Sequence, residues 1–184
     1  MIGNDIIDLD LAKTESNWQR EGFLKKQFTK SEQLLIKKSK DSFETVWLLW
    51  SMKEAAYKIW VQQNKERIFA PIKFECELSK PDEGTVKHKD YIYYTDSMIN
   101  ESFIHTIALL EKKAEVYSQI GSPHGIDATI KKKLAEMTGF SVDEISQRKS
   151  IKGAPSYYHK KQKLIKSCSI SHHGNYGAFS LLSK

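Results

Sequence analysis

The chain has 184 residues, 40% of them hydrophobic, with four Trp, eight Tyr and eight Phe, which is ample material for a packed core and makes a folded, globular chain of one domain or two small ones the expectation. A formal net charge of +6 and a pI near 9.1 favour an acidic partner, whether nucleic acid, acidic protein or polyphosphate ligand. Cys76 and Cys168 stand far apart without metal spacing, which argues against a disulfide framework and a zinc site, and no apolar run long enough to span a bilayer and no signal-peptide pattern is present, so the expected location is the cytoplasm.

In chain order, Met1 to Leu9 opens as a β-branched run, expected to be a buried strand with Gly3 where another segment approaches the backbone and Asp5 inside it. Residues from about Ser16 to Lys40 read as helical, with Thr29 as an N-cap and Glu32 as its capping-box partner. A polar break at Ser39 to Ser42 precedes a long central helix, expected from about Phe43 to Gln63. That helix is apolar almost all round, carrying Trp47, Leu48, Leu49, Trp50, Ile59 and Trp60. At 100° per residue, Ser51, Glu54 and Lys58 fall within about 60° of one another and form its polar line. A carboxylate on a buried helix needs a cation, a hydrogen-bond network or a raised pKa. Lys58 and a divalent metal are both candidate partners for Glu54.

Beyond the helix, Ile72, Phe74, Cys76 and Leu78 alternate as in a half-buried strand, and Asp90 to Thr95 and Phe103 to Leu110 read as two more. An antiparallel sheet is therefore expected against the central helix, with His105 as a structural histidine within it. Gly121 to Gly125 is a linker, followed by a helix for which Asp127 is the expected N-cap. Val142 to Arg148 reads as a strand, Lys152-Gly-Ala-Pro155 as a tight turn, and Lys166 to Leu182 as a hairpin turning at Gly174 and Asn175. His172 and His173 end its first arm and face opposite ways, so at most one of them serves a given site.

Ile2-Gly-Asn-Asp5, Trp50-Ser-Met-Lys-Glu-Ala-Ala-Tyr-Lys58, Gly153-Ala-Pro155 and Ser169-Ile-Ser-His172 together resemble the signature set of the 4'-phosphopantetheinyl transferases, in the order used by the holo-acyl-carrier-protein synthase branch. The resemblance is anchored at both ends and in the central helix, while residues 62 to 145 match only in their pattern of strands. It implies an α+β fold with antiparallel sheets on a long central helix. It also implies transfer of the phosphopantetheine arm of coenzyme A to a serine of an apo acyl or peptidyl carrier protein, dependent on Mg²⁺, with release of adenosine 3',5'-bisphosphate. By the same resemblance Asp5 and Glu54 are the metal ligands, Lys58 touches the phosphate or protonates the leaving group, and Lys53 sits beside it. Glu54 or a water on the metal takes the serine proton. Ser171 and His172 contact the nucleotide phosphates.

Some residues depart from that pattern. A second acid often found two residues after the first Asp is here Ile7, which leaves a water to fill the place and Asp8 as the next carboxylate. The turn lacks the lysine of the usual Gly-Lys-Pro, with Lys152 as a stand-in. Residues 1–120 are expected to form a first half with the metal-binding strand and central helix, and residues 121–184 a smaller second half with the turn and the hairpin. This amounts to a pseudo-two-fold arrangement in one chain, monomeric in preference to the trimers of the short synthases. Two other functions stay open at this level: a coenzyme A-binding pseudoenzyme, and a basic nucleic-acid-binding module, although no recognised nucleic-acid motif is present and the lysines are scattered among acids. No membrane partner is expected.

Overall fold

The computed structural model describes residues 1–64, 69–149 and 153–183. The chain opens with β1 (Ile2–Asp8), buried along its whole length. Three short helices follow: α1 (Leu9–Glu15), α2 (Phe23–Gln27) and α3 (Lys30–Lys38). The single helical stretch expected from Ser16 to Lys40 is thus broken. Asp8 caps α1 directly after β1, accepting from the Leu11 N–H at 3.1 Å, and the left-handed Gly22 (φ 80°) precedes α2. The Thr29–Glu32 capping box then starts α3 as its spacing predicts.

Helix α4 (Ser42–Gln63) is 22 residues long and starts at Asp41, whose side chain accepts from the Glu44 N–H. Its apolar faces bury Val46, Leu49, Met52, Ala55, Ala56 and Ile59. The sheet beneath it is antiparallel, in the order β1, β5 (Phe103–Leu109), β4 (Tyr91–Ile99), β3 (Glu83–His88), β2 (Glu75–Leu78). Strand β3 has no apolar alternation strong enough to be read from its sequence; Gly84, Val86 and His88 are its buried positions. Gly3 is where α4 crosses β1: a Cβ there would stand 2.0 Å from the Ala55 carbonyl oxygen, so only glycine permits the approach. Trp50 and Tyr57 pack on Phe69 at ring-centroid distances of 5.8 and 4.6 Å, which braces the solvent side of α4.

A second apolar cluster forms around α5 (Ile126–Thr138), with Ile130 and Leu134 meeting Tyr157, Ile165, Phe179 and Leu181. Its sheet runs β10 (Ser167–His173), β11 (Tyr176–Leu182), β6 (Val116–Gly121), and a small sheet of β7 (Ile145–Lys149), β8 (Pro155–His159) and β9 (Gln162–Lys163) lies beside it. Only the second part of the expected strand at Val142 to Arg148 is strand, because Val142–Glu144 coils into a 3₁₀ turn. Asp127 is not the cap of α5. Gly125 occupies that position in a left-handed conformation, and Asp127, in the first turn, accepts from the Tyr157 hydroxyl at 2.9 Å and pairs with Lys131 at 3.0 Å.

The two parts are joined by a side-chain zipper. Strand β1 is an edge strand, and its outward N–H groups need acceptors. The Ile2 N–H donates to Ser167 Oγ (3.3 Å), the Asn4 N–H to Ser169 Oγ (2.9 Å) and the Asp8 N–H to His173 Nδ1 (2.9 Å), each pair 165 residues apart. Side chains at alternate positions of β10 thereby stand in for the backbone carbonyls of a neighbouring parallel strand. Among the described residues no helix is long and apolar enough to cross a membrane.

Candidate functional site

Alternation along β1 points Gly3, Asp5 and Ile7 at α4, and the 3.6-residue period of α4 points Ser51, Glu54 and Lys58 back at them. Asp5 and Lys58 meet: Lys58 Nζ lies 3.3 Å from Asp5 Oδ1 and donates to the Asn4 carbonyl at 2.7 Å. Lys58 therefore pairs with the strand rather than with Glu54 on its own helix. Asp5 is nearly enclosed, and burial pushes its carboxyl above the usual range, opposed by the charge and hydrogen bond of Lys58, by Ser51 and by the charge of His173. Glu54 has no hydrogen-bond partner among the described residues, and its pKa rises to about 7, through burial first and the Asp5 charge second, with Lys58 pulling the other way.

The Asp5 charge raises the Glu54 pKa, so the two acids place negative charge close together. Asp5 Oδ2 is buried without a hydrogen-bond partner, so a lone pair there is unused. A hard divalent cation fits such a donor set, since it takes carboxylate oxygens and completes its shell with substrate oxygens and water. Among the described residues no three His, Cys, Asp or Glu side chains converge in the manner of an all-protein metal cage.

The other expected residues divide. Gly153, Ala154 and Pro155 do come to Lys58, and with Tyr57, Val61, Gln62 and residues Cys168, Ser169 and Ile170 of β10 they line a cleft of about 400 Å³. Burial pushes the Cys168 thiol up to about 12, so it serves this wall as an apolar group. His172 is exposed, while Ser171 on the opposite face is buried with its Oγ accepting from Asn4 Nδ2 at 2.9 Å. The expectation that Ser171 joins His172 on one ligand is therefore corrected: neighbouring strand residues point apart, and the Ser171 hydroxyl holds β10 to β1. Lys152 lies outside the described residues.

Lys53 is corrected as well. It is fully buried, its Nζ 2.8 Å from Glu32 Oε1 and donating to the carbonyls of Pro71 (3.0 Å) and Phe74. Glu32 in turn accepts from the N–H groups of Thr29 and Cys76, both at 2.7 Å. The pair binds α3, α4 and β2 together and leaves no ammonium proton for the cleft. Asp8 is likewise unavailable as a substitute acid. It caps α1 and accepts from Asn175 N at 3.0 Å; desolvation raises its pKa, but hydrogen bonds from the backbone of Asn175, Leu11 and Asp10 outweigh that and hold it below the usual range.

Asn4 carries no signal in the sequence beyond its place in a motif, yet it touches three elements. Besides Ser169 and Ser171, its Nδ2 lies 3.2 Å from His105 Nε2. Burial, followed by the charge of Lys58, lowers the His105 pKa to about 4, so the ring stays neutral and structural, as its place in a plain strand predicts. The signal for the zipper was the alternation of Ser167, Ser169, Ser171 and His173, four polar groups on one face of a buried strand.

The chain is similar to the crystal structure of Thermotoga maritima holo-[acyl-carrier-protein] synthase, with 14% sequence identity and a TM-score of 0.47 over 88% of this chain and 83% of that one. It is also similar to the Helicobacter pylori holo-[acyl-carrier-protein] synthase in complex with coenzyme A, with 18% identity and a TM-score of 0.29 over 100% of both chains. No curated protein matches it. The sequence model of the 4'-phosphopantetheinyl transferase superfamily matches residues 1–109, which span β1, α4 and the whole of the five-stranded sheet, and the chain belongs to that superfamily.

Proposed function

We propose that this chain is a holo-acyl-carrier-protein synthase-type transferase, which moves the 4'-phosphopantetheine arm of coenzyme A to a serine of an apo acyl or peptidyl carrier protein. The observation that carries the reading is the line of Asp5, Glu54 and Lys58, with Lys58 on the rim of a cleft whose far wall is Gly153 to Pro155 and β10. In the reaction the serine oxygen bonds to the β-phosphorus of coenzyme A, the pyrophosphate P–O bond breaks, and adenosine 3',5'-bisphosphate leaves. Phosphoryl transfer of this kind is governed by positioning and charge.

Asp5 and Glu54 would hold Mg²⁺, which when bound supplies charge neutralisation at the pyrophosphate. Glu54 accepts the serine proton. Lys58, anchored by Asp5 and the Asn4 carbonyl, directs its ammonium at the leaving phosphate. His172, exposed beside the β10 wall, reaches the nucleotide phosphates. The enzyme works in the cytoplasm, and its net charge of +6 suits coenzyme A and an acidic carrier.

The architecture belongs to the same proposal. The chain carries two related halves, in swapped order compared with the surfactin-type enzymes, and acts as a monomer with its cleft between them; the expected boundary at 120/121 moves ahead of Val116, because β6 pairs with β11 in the second sheet. The separate apolar clusters of the two parts support this; an obligate trimer in light scattering would overturn it.

The test is incubation with apo carrier proteins, coenzyme A and Mg²⁺, followed by mass spectrometry of the carrier. A pantetheine adduct is expected, lost in Asp5→Ala and Glu54→Gln. Absence of an adduct on every fatty-acid and peptide carrier tried, with coenzyme A still bound, points instead to a pseudoenzyme.

A further inference from the structure

Two buried oxygens beside each other in this site lack a hydrogen bond: Asp5 Oδ2 and Ser51 Oγ. Ser51 is fully buried. A helical serine ordinarily returns its hydroxyl to the carbonyl one turn back, as Thr45 does to Asp41 at 2.7 Å. Ser51 makes no such bond to Trp47, so its hydroxyl is not spent on its own helix. It lies close enough to Asp5 to favour the charged carboxylate, although no bond of good geometry has formed. Its place on α4 is one turn before Glu54 and two before Lys58, on the same line.

Among the described residues Asp5 Oδ2 has no hydrogen-bond donor. Position 7, on the same side of β1 as Asp5, is Ile7, buried in the apolar core with the residues of α4. Asp8 is committed to α1 and the hairpin turn. Of the two Asp5 oxygens, Lys58 is hydrogen-bonded to Oδ1. The hydroxyl beside the Asp5 carboxylate is that of Ser51, itself unpaired.

We propose that Ser51 is the positioning residue of the cation site, its hydroxyl turning onto Asp5 Oδ2 to hold the carboxylate towards Glu54 when a divalent cation binds. This rests on the reading that Asp5 and Glu54 take such a cation. A serine has the right chemistry, because its proton rotates freely about the C–O bond and can serve a carboxylate without adding charge to a site that already holds two acids. Outer groups that orient metal-binding carboxylates typically contribute 10–100-fold to affinity.

The experiment is calorimetric titration of Mn²⁺ into the full chain without coenzyme A or carrier, with the melting temperature measured in EDTA. Ser51→Ala is expected to weaken Mn²⁺ about 10-fold or more while leaving the metal-free melting temperature unchanged or raised, because alanine suits the helix and removes an unsatisfied hydroxyl. Asp5→Ala is the reference and should abolish binding. If Asp5→Ala abolishes binding and Ser51→Ala binds as tightly as the parent, the role of Ser51 is overturned and the cation site stands. If neither Asp5→Ala nor Glu54→Gln alters Mn²⁺ binding, the cation site falls and the role of Ser51 with it.

Discussion

Lys58 Nζ lies 3.3 Å from Asp5 Oδ1, an ion pair that joins the central helix to the first strand and leaves Glu54, one turn back on the helix, without an ion-pair partner among the described residues. The unshared carboxylate has a measurable consequence. The Glu54 pKa is raised from 4.5 to about 7, so the folded protein favours the protonated acid. That contribution is fully present below the unfolded value and is lost as pH rises through the folded one. Metal-free protein should therefore lose stability between about pH 4.5 and 7, by on the order of 3 kcal/mol if the whole shift is realised. Glu54→Gln should flatten this dependence and be more stable than the parent at pH 8, and Mg²⁺ should restore the parent. Calorimetric melting across pH, in EDTA and in Mg²⁺, measures it.

Lys53 and Glu32 should behave as a structural pair. Removing either partner leaves the other buried and charged, at a cost of about 3–5 kcal/mol. Urea denaturation of Lys53→Ala and Glu32→Ala is expected to show that loss in full. A Lys53 variant of parental stability with a raised KM for coenzyme A would place the ammonium in the cleft after all.

Ser171 and His172 should separate cleanly. Ser171→Ala removes an acceptor from the buried Asn4 amide and should cost about 1–3 kcal/mol of stability. His172→Ala changes an exposed side chain, so stability should move by less than about 0.5 kcal/mol. Its effect is expected in coenzyme A binding, weakened about tenfold, the equivalent of roughly 1.4 kcal/mol. Denaturation paired with coenzyme A titration distinguishes the two.

Gly3→Ala tests the helix crossing. With its Cβ only 2.0 Å from the Ala55 carbonyl oxygen, a backbone must shift, and overpacking of this kind costs about 1–3 kcal/mol or more. The shift would also move Asp5 from Lys58, so stability and transfer activity should fall together. A variant with parental melting temperature and turnover would show that α4 can retreat from β1 freely.

Much of the site was legible because it rests on local periods. The 3.6-residue repeat set Ser51, Glu54 and Lys58 in one line, Gly3 marked a close approach, the Thr29–Glu32 spacing marked a helix start, and Gly174–Asn175 marked the hairpin turn. Each depends on residues within a turn or two of one another, where side-chain direction follows from backbone geometry alone. Even at this range Asp127 is not the cap its spacing predicts, because Gly125 two residues earlier reaches the left-handed conformation more cheaply.

The partners of the buried polar groups were decided only by the tertiary structure. A capping-box glutamate has the same local signature whether or not its second oxygen takes up a lysine 21 residues away, as Glu32 does. Nothing near Ser171 in sequence tells that its hydroxyl meets Asn4 167 residues earlier, or that Asp8 holds a turn at Asn175. A charge or hydroxyl taken out of water must be satisfied, but packing chooses by what, and the choice reaches across the chain. The sequence by itself determined which side chains share a face of their own helix or strand. Only the folded chain decided that Lys58 remains at the cleft while Lys53, five residues before it, is enclosed in the core, because the two ammonium groups leave the same helix towards different neighbours.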